Sequence, residues 1–466
     1  MHQDRASALA HSGLVRCSVP RLIGVLGATL LLGGCAGFPW GKGPPNLRGG
    51  YAAGAKVAVI LPAKGPVADA ANAVRDGLRA AGGADDTPTR PTLTFIASDQ
   101  PNEIAGAYKK ALAGGATQVI GPLLKPAVDT LAAGPALKVP TLALNQAAKP
   151  GKSADNLYQF ALAPETEALE VANKAKAMGF TRALMLAPQG EAGQRRADAF
   201  RRQWQRLGGT LVGEAGFDPA AADPAKDLGD LLAKGTADVL FLAADADQVR
   251  KVYPAIRDQA VALPVVATSA VYSGDPDAAR DKALAGLYFV DAPWVLGVGA
   301  ADDPLARFKL KKGAAALATP LGLRLYAMGI DAYRLTPRLA TLAKTPGATF
   351  PGATGTLSID AQGRVQRQLT LAQFTPSGPH PVTAITAAKA SPPTKPPTKL
   401  AAQGKPAEAA AAGKPEEEAD PPAAPKDAAP PKPAASAPSP KPEKGAAVRP
   451  KPEPARPGPE PLAKGG

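Results

Sequence analysis

Apolar runs of strand length alternate with segments of helix length along most of this chain, and this alternation limits the fold more than any other sequence feature. The stretch from Gln118 to Gln146 contains a short apolar run, a Gly-Pro turn, a helix-length segment and a second apolar run that closes on Asn145. Short apolar runs bounded by turn residues are typical of strands buried on both faces of a parallel sheet. The stretch therefore predicts a strand–helix–strand crossover.

The same alternation extends on both sides of this crossover. Strand and helix patterns begin at Lys56, and a second block of them runs from Glu165 to Ala267. Two consecutive blocks of this size predict an α/β protein with two doubly wound, Rossmann-like lobes between residues 55 and 375. We assign about 55–158 and 285–345 to the first lobe, and about 159–284 and 346–375 to the second.

The segments after residue 285 would be shared between the lobes. They predict a strand at Leu287 to Val290, helices at Pro304 to Leu317 and Leu321 to Leu339, and strands at Thr354 to Ile359 and Val365 to Phe374. The turn residues between the last two strands predict a hairpin.

The amino terminus has the features of an export signal. Arginines precede an apolar run from Leu22 to Leu32, which is too short to cross a hydrocarbon core of about 30 Å as a helix. The run ends in Gly33-Gly34-Cys35, which resembles a bacterial lipobox. We predict a signal peptide over 1–34, lipid attachment at Cys35 and a Gly- and Pro-rich tether over 35–54. The alternative is an ordinary signal peptide with a chance cysteine.

The carboxyl-terminal segment differs in composition from the rest of the chain. No aromatic residue follows Phe374, and Ala, Pro and Lys dominate the last part of the chain. Such a segment cannot bury enough apolar surface to offset its loss of conformational entropy on folding. The sequence therefore predicts a disordered tail over 376–466 with polyproline II character.

Signatures of catalysis are scarce. The only histidine beyond the predicted signal peptide is His380, and the serine acyl-transfer patterns G-x-S-x-G and S-x-x-K do not occur. Asp245 and Asp247 could be metal ligands, but they also fit the cap and first turn of a helix. We therefore expect a protein that is not an enzyme, with no cofactor and no metal.

A ligand cleft between the lobes is an open prediction. Loops at the carboxyl edges of doubly wound sheets meet at a common crevice, where such folds bind ligands. The residues expected there are Pro62, Gly121, Pro122, Asn145, Gln146, Gln189 and Gly190. Asn145 and Gln189 could orient a polar ligand through amide hydrogen bonds, or they could satisfy backbone groups of their own loops.

The chain is basic, with a formal net charge of +14. Arginines concentrate on the helix pattern from Ala192 to Leu207, which also carries Trp204. A basic helix with an aromatic residue can indicate nucleic-acid binding, but export makes such a partner improbable. We expect a solvated face with Trp204 packed inward or at the lobe edge. A contact surface for an anionic envelope component or a protein partner is the alternative.

Four stretches carry a resemblance to the LppC/LpoA family of penicillin-binding-protein activators. They are IGPLLKPAVDTLA, VPTLALNQ, LYQFALAPETEALEVANKA and LAPQGEAGQRRADAFRRQWQRLGG. The resemblance implies the type I periplasmic binding-protein fold. It further implies a non-catalytic lipoprotein on the periplasmic face of the outer membrane that binds and activates a bifunctional penicillin-binding protein, a peptidoglycan synthase. The basic, proline-rich tail could additionally reach the peptidoglycan.

Two other functions remain open at this point. The first is the substrate-binding lipoprotein of an ABC transporter for amino acids or similar small polar ligands, and the second is an envelope tether that works mainly through its tail. Amino-acid-binding relatives of this fold typically hold the ligand carboxylate with small hydroxyl residues after their third and fourth strands. Here those loops are Gly121-Pro122-Leu123-Leu124 and Leu144-Asn145-Gln146-Ala147, which contain no Ser or Thr and favour the regulator.

Overall fold

A computed structural model of the protein describes residues 50–149, 151, 154–221, 223, 225–226, 228–259, 262–299, 302–310 and 317–386. The predicted signal peptide, Cys35 and the predicted tail beyond residue 386 lie outside the described residues. Among the helices described, none is both long and apolar enough to cross a membrane.

The first lobe is built on a parallel sheet. Its strands are β1 (Lys56–Leu61), β2 (Thr92–Ala97), β3 (Gln118–Ile120), β4 (Thr141–Ala143) and β5 (Leu157–Gln159). The first three crossovers contain α1 (Ala68–Gly83), α2 (Ile104–Ala113) and α3 (Lys125–Ala132). The order across the sheet is β2-β1-β3-β4-β5. All neighbours are parallel, as expected for strands with apolar side chains on both faces.

The second lobe repeats this arrangement. Its helices are α4 (Pro164–Ala177), α5 (Glu191–Arg206), α6 (Leu228–Ala233), α7 (Ala246–Gln259) and the short α8 (Ala278–Asp281). Its parallel strands are β6 (Arg182–Pro188), β7 (Thr210–Phe217), β8 (Val239–Leu242), β9 (Val265–Ala267) and β10 (Tyr288–Asp291). They follow the order β7-β6-β8-β9-β10. In each lobe the second strand lies on one side of the first strand, and the third and later strands are added on the other side. This change in the order of strands makes each lobe a doubly wound unit.

The remaining elements complete both lobes. They are α9 (Pro320–Leu335), α10 (Leu339–Lys344), β11 (Phe350–Pro351), β12 (Thr356–Ile359), β13 (Val365–Gln368), β14 (Thr370–Thr375) and β15 (Gly378–Pro381). Strands β14 and β15 extend the second sheet antiparallel to β10, whereas β11, β12 and β13 form a small antiparallel sheet of their own. The predicted hairpin is confirmed as the β12–β13 pair.

Helix α9 packs on α1 of the first lobe with very close backbone contact. A Cβ atom added at Gly77 would lie 2.1 Å from the carbonyl oxygen of Tyr326, and one added at Gly329 would lie 2.2 Å from that of Val74. Nearly every residue of α9 is buried. A helix from late in the chain therefore covers one face of the first sheet.

The structure differs from the sequence-based assignment of lobes in one respect. We placed 285–345 in the first lobe, but β10 pairs with β9 and β14 in the second sheet. Further along this segment, α9 packs on α1 of the first lobe. The pattern of β10 could not assign it to a lobe, because strands buried in either sheet carry the same apolar run.

Two predicted elements have different forms. The strand predicted at Val365 to Phe374 is two strands in different sheets, with Leu369 between them. The backbone N–H of Leu369 donates to the Glu170 carboxylate at 3.2 Å, so this N–H bonds to a side chain and not to a neighbouring strand. The helix predicted at Pro304 to Leu317 is, in its described part, turns and a single 3₁₀ turn at Arg307–Lys309.

Regular structure continues beyond the predicted start of the tail at residue 376. Strand β15 pairs with β14, and His380, which we expected in the tail, lies opposite Gln373. Further along, Ile385 is buried against the second lobe. The boundary was set too early because Gly and Pro in this segment resemble a linker, although Pro is compatible with an edge strand.

Candidate functional site

A cleft of about 650 Å3 lies between the two lobes at the carboxyl edge of the first sheet. Its first-lobe wall comes from the start of α1 and from the loops after β3 and β4. The rest of the lining comes from the linker 161–163 and the first turn of α4, from Arg195 on α5, and from Leu321, Leu325 and Met328 on α9. The lining is predominantly apolar with a few polar groups, as is usual for small-molecule sites.

Asn145 holds the two first-lobe loops together. Its Nδ2 donates to the carbonyl oxygen of Leu123 at 3.0 Å, and its Oδ1 accepts from the backbone N–H of Gln146 at 2.9 Å. Both functions of the side-chain amide are therefore engaged with backbone groups. Asn145 shapes the cleft wall rather than presenting a free amide, which agrees with the second of the two roles considered for it.

The predicted cleft residues separate into two groups. Asn145 and Gln146 line the cleft, whereas Pro62, Gly121, Pro122, Gln189 and Gly190 do not. The loops after β1 and β6 instead form hydrogen bonds within their own lobes. The carbonyl oxygen of Pro62 accepts from Arg75 Nη2 at 2.9 Å, and the N–H of Gln189 donates to the carbonyl oxygen of Phe217 at 2.8 Å.

The two predicted cleft glycines have structural roles. Gly121 has φ +105°, and a Cβ there would lie 2.0 Å from the carbonyl oxygen of Ile60, so β1 and the loop after β3 can approach closely only at a glycine. Gly190 precedes α5 with φ +106°, a backbone conformation that residues other than glycine rarely adopt. Neither residue lines the cleft.

An ion pair forms the second-lobe side of the cleft. Arg195 approaches Oε1 of Glu165 at 2.5 Å through both Nε and Nη2. Its Nη1 lies 3.9 Å from Glu191, beyond hydrogen-bond distance. The Arg195 side chain is 52% exposed and that of Glu165 28% exposed, so the guanidinium keeps contact with the open cleft.

A family model described as "LppC putative lipoprotein" matches residues 52–234 and 232–377. The chain belongs to the LppC family. The penicillin-binding protein activator LpoA of Pasteurella multocida is 30% identical over 325 residues, covering 69% of this LppC chain and 54% of the relative. This LppC chain spans about half the length of the curated relatives it matches.

Solved structures give the same relationship. The LpoA C-domain from Haemophilus influenzae, described as a regulator of PBP1A, superposes with TM-score 0.60 at 25% identity, covering 71% of this LppC chain and all of that domain. A protein from Chromobacterium violaceum described as a branched-chain amino acid ABC transporter gives TM-score 0.58 at 31% identity, covering 68% and 99% of the two chains. The predicted family and the periplasmic binding-protein-like fold are confirmed.

A buried ion pair in this LppC protein joins α9 to the second sheet. Arg324 on α9 donates to both carboxylate oxygens of Asp291 on β10, at 3.0 Å from Nε and 2.5 Å from Nη2. Its Nη2 also reaches the carbonyl oxygen of Ser269 at 2.9 Å. Burial raises the pKa of Asp291 to about 6, although the Arg324 guanidinium opposes this shift.

A second buried pair lies beside the first. Arg367 on β13 is 3.7 Å from Glu167 on α4, and Glu167 Oε2 accepts from the hydroxyl of Ser269 at 2.6 Å. Burial lowers the pKa of Arg367 below its usual value. Because Ser269 contacts both pairs, one polar network connects α4, α9, β10 and β13. Since α9 also packs on α1, this network ties the second lobe to the helix that covers the first.

The basic helix α5 of the LppC chain is largely accounted for by contacts within the second lobe. Trp204 is fully buried and stacks on Phe200, as expected for an inward-facing side chain. Arg196 is buried and donates to the carbonyl oxygen of Ala243, and Arg201 pairs with Glu214 at 2.7 Å. Arg202 is exposed on the same helix.

The acidic pair near β8 caps a helix. Asp245 Oδ1 accepts from the backbone N–H groups of Asp247 at 3.0 Å and Gln248 at 2.9 Å at the start of α7. Asp245 therefore takes the capping role that we weighed against metal ligation. Within the described ranges, no three His, Cys, Asp or Glu side chains come together in a group that could hold a metal ion.

Proposed function

We propose that this chain is a non-catalytic lipoprotein that binds a bifunctional penicillin-binding protein and raises its peptidoglycan synthase activity. The observation that carries the proposal is the match to the LpoA C-domain, which the chain covers over its full length. That domain is described as part of a regulator of PBP1A, and the curated relatives are named penicillin-binding protein activators. The match involves the folded region, so we assign partner binding to it.

Lipid attachment at Cys35 would hold the chain on the periplasmic face of the outer membrane. The family description as a lipoprotein and the lipobox-like sequence Gly33-Gly34-Cys35 support this location. A tail of the predicted polyproline II character would extend the reach of the molecule, because such a segment spans about 3.1 Å per residue. Its lysines favour weak, screened attraction to anionic groups of the peptidoglycan.

Activation requires only that the chain bind the active form of the synthase more tightly than the inactive form. A tenfold shift between the two forms needs about 1.4 kcal/mol of differential affinity. The buried pairs Arg324–Asp291 and Arg367–Glu167 restrict movement of the lobes, since separating either pair would leave a charge buried without its partner. A regulator with this construction offers its partner a preorganised surface, which lowers the entropic cost of binding.

The transporter alternative draws support from the Chromobacterium violaceum structure. Binding of an amino acid would require groups for its carboxylate and for its ammonium. The loops after β3 and β4 lack the small hydroxyl residues that typically hold the carboxylate in amino-acid-binding relatives. For the ammonium, Glu165 is the one carboxylate among the described lining residues, and Arg195 already neutralises it. These features favour the activator over an amino-acid transporter component.

The decisive experiment reconstitutes the mature lipidated chain with a bifunctional penicillin-binding protein from the same cells. We expect faster glycan polymerisation or peptide crosslinking than with the synthase alone, and crosslinks between the synthase and residues 52–377. The matched control is an equal amount of the same chain after heat unfolding. An unchanged synthase rate, together with recovery of permease subunits by affinity capture from envelope extracts, would contradict the proposal in favour of the transporter.

A further inference from the structure

The interlobe cleft has the size of a small-molecule site. Its volume of about 650 Å3 lies within the roughly 300–1,000 Å3 that is usual for ligand pockets. Leu123 and Leu144 line it from the first lobe, Leu162 from the linker, and Leu325 and Met328 from α9. A ligand that fills this space must therefore have an apolar body.

The polar groups of the cleft carry an excess of positive charge. Lys125 at the start of α3 and Arg195 on α5 both line it, and Glu165 is the only carboxylate among the described residues that do so. With one acid against two bases, an anionic ligand group is favoured over a cationic one. Arg195 Nη1 lies 3.9 Å from Glu191, beyond hydrogen-bond distance, so it can still donate to a ligand.

The same groups disfavour an ammonium. Oε1 of Glu165 lies 2.5 Å from both Nε and Nη2 of Arg195, so the carboxylate is already paired with a guanidinium. The side-chain oxygen of Asn145 is likewise occupied by the N–H of Gln146. An α-amino group placed in the cleft could reach Glu165 only through Oε2, beside the guanidinium that already neutralises this carboxylate, so it would gain little attraction in return for its lost hydration.

From these three observations we propose that the cleft binds a monocarboxylate with an apolar body and no amino group. Its body packs on the leucines and Met328, and its carboxylate accepts hydrogen bonds from Arg195 and Lys125. This ligand site is independent of synthase activation, because it rests on the cleft alone. It is also distinct from amino-acid binding, which the proposed chemistry rejects.

Calorimetric titration of the mature lipidated chain in nanodiscs tests this with three matched compounds. We expect saturable one-to-one binding of 4-phenylbutyrate. Binding of 4-phenylbutanamide, which lacks the charge, and of homophenylalanine, which adds an α-amino group to the same skeleton, should be weaker by about tenfold or more. Equal affinities for the three compounds, or no saturable binding of 4-phenylbutyrate, overturn the proposal.

Two variants on one helix locate the site. Arg195→Gln should weaken 4-phenylbutyrate binding by about tenfold, because it removes a charged donor. Arg202→Gln, an exposed arginine on the same helix, should leave the affinity within about twofold of the original. Lys125→Gln provides a second cleft variant if Arg195→Gln lowers the melting temperature of the free protein. Equal loss in Arg195→Gln and Arg202→Gln, or no loss in Arg195→Gln and Lys125→Gln, overturns the assignment.

Discussion

Gly77 of α1 and Gly329 of α9 face one another with almost no space between the two helices. A Cβ at Gly77 would lie 3.1 Å from the Cα of Gly329 and 2.1 Å from the carbonyl oxygen of Tyr326. Both helices would have to move apart to admit a methyl group at either position. Since α9 is also joined to the second sheet by Arg324, this contact is one end of the link between the lobes.

We therefore expect Gly77→Ala to destabilise the protein by about 1–3 kcal/mol, the usual cost of overpacking a tight core. The matched control is Gly83→Ala at the end of the same helix, where an added Cβ meets no atom within 4 Å. That variant should be neutral or slightly stabilising, because alanine favours helix more than glycine does. Urea unfolding of both variants gives the comparison. Equal midpoints would show that the helices separate without cost.

The buried pair Arg324–Asp291 gives a larger expected effect. Arg324→Gln leaves the carboxylate of Asp291 buried without its charged partner, and we expect a loss of about 3–5 kcal/mol in the free energy of unfolding. Arg257→Gln breaks a solvent-exposed pair with Asp258 and should cost less than about 1 kcal/mol. Denaturant titrations measure both losses. Similar losses in the two variants would mean that burial of the first pair has no energetic consequence.

The pH dependence of stability follows from Asp291. Its folded-state pKa is raised to about 6, above the value of about 4 expected when unfolded. Between these values the folded protein binds more protons at this site than the unfolded protein. The contribution of Asp291 is therefore most favourable below about pH 4 and is lost as the pH rises through about 6.

Replacement of the group isolates this contribution. Asp291→Asn should change the pH dependence of the unfolding free energy within that window, with the original protein losing more stability than the variant as the pH rises. Denaturant titrations at several pH values check the sign. The opposite sign would mean that Arg324 holds the folded-state pKa of Asp291 below its unfolded value.

Lipid attachment has a matched test in the two cysteines of the sequence. Cys35→Ala should abolish incorporation of labelled acyl chains, because Cys35 is the cysteine that follows the apolar run of the predicted signal peptide. Cys17→Ala should leave the labelling intact, since Cys17 lies within the segment predicted to be removed. Acyl label in the Cys35→Ala variant would refute the lipobox prediction.

Two truncations separate the folded part from the predicted tail. Removal of the residues after Thr386 should leave the melting temperature nearly unchanged, because the sequence predicts that they bury no apolar surface. Removal of the residues after Thr375 also deletes β15 and the buried Ile385, and it should lower stability by at least the roughly 2–5 kcal/mol typical of losing a buried isoleucine. Equal melting temperatures for the two truncations would contradict the role of β15.

The sequence was most informative where the structural signal is local. Strand β1 begins at Lys56, where the strand and helix patterns begin, and the strand–helix–strand crossover from Gln118 to Gln146 closes as expected. The split between β13 and β14 was missed because the apolar pattern continues through Leu369, and only its contact with Glu170 reveals the break. The order of elements and their spacing were sufficient for the fold class.

The cleft was less accessible to prediction. Its first-lobe loops could be located from the ends of β3 and β4, but Leu325 and Met328 come from a helix far along the chain. No local pattern predicts which surface a buried helix will meet. Arg195 was noted only as part of a basic helix, and its position beside Glu165 depends on how α4 and α5 pack together.

The seven-stranded sheet ends at β15, and two of the four residues in this edge strand are proline. Pro379 and Pro381 have no backbone N–H, so they cannot donate hydrogen bonds to a strand from a second molecule. Exposed sheet edges commonly initiate intermolecular pairing and aggregation, and proline is one of the residues that protect them. If many copies were anchored side by side on one membrane, this edge would resist strand addition from its neighbours.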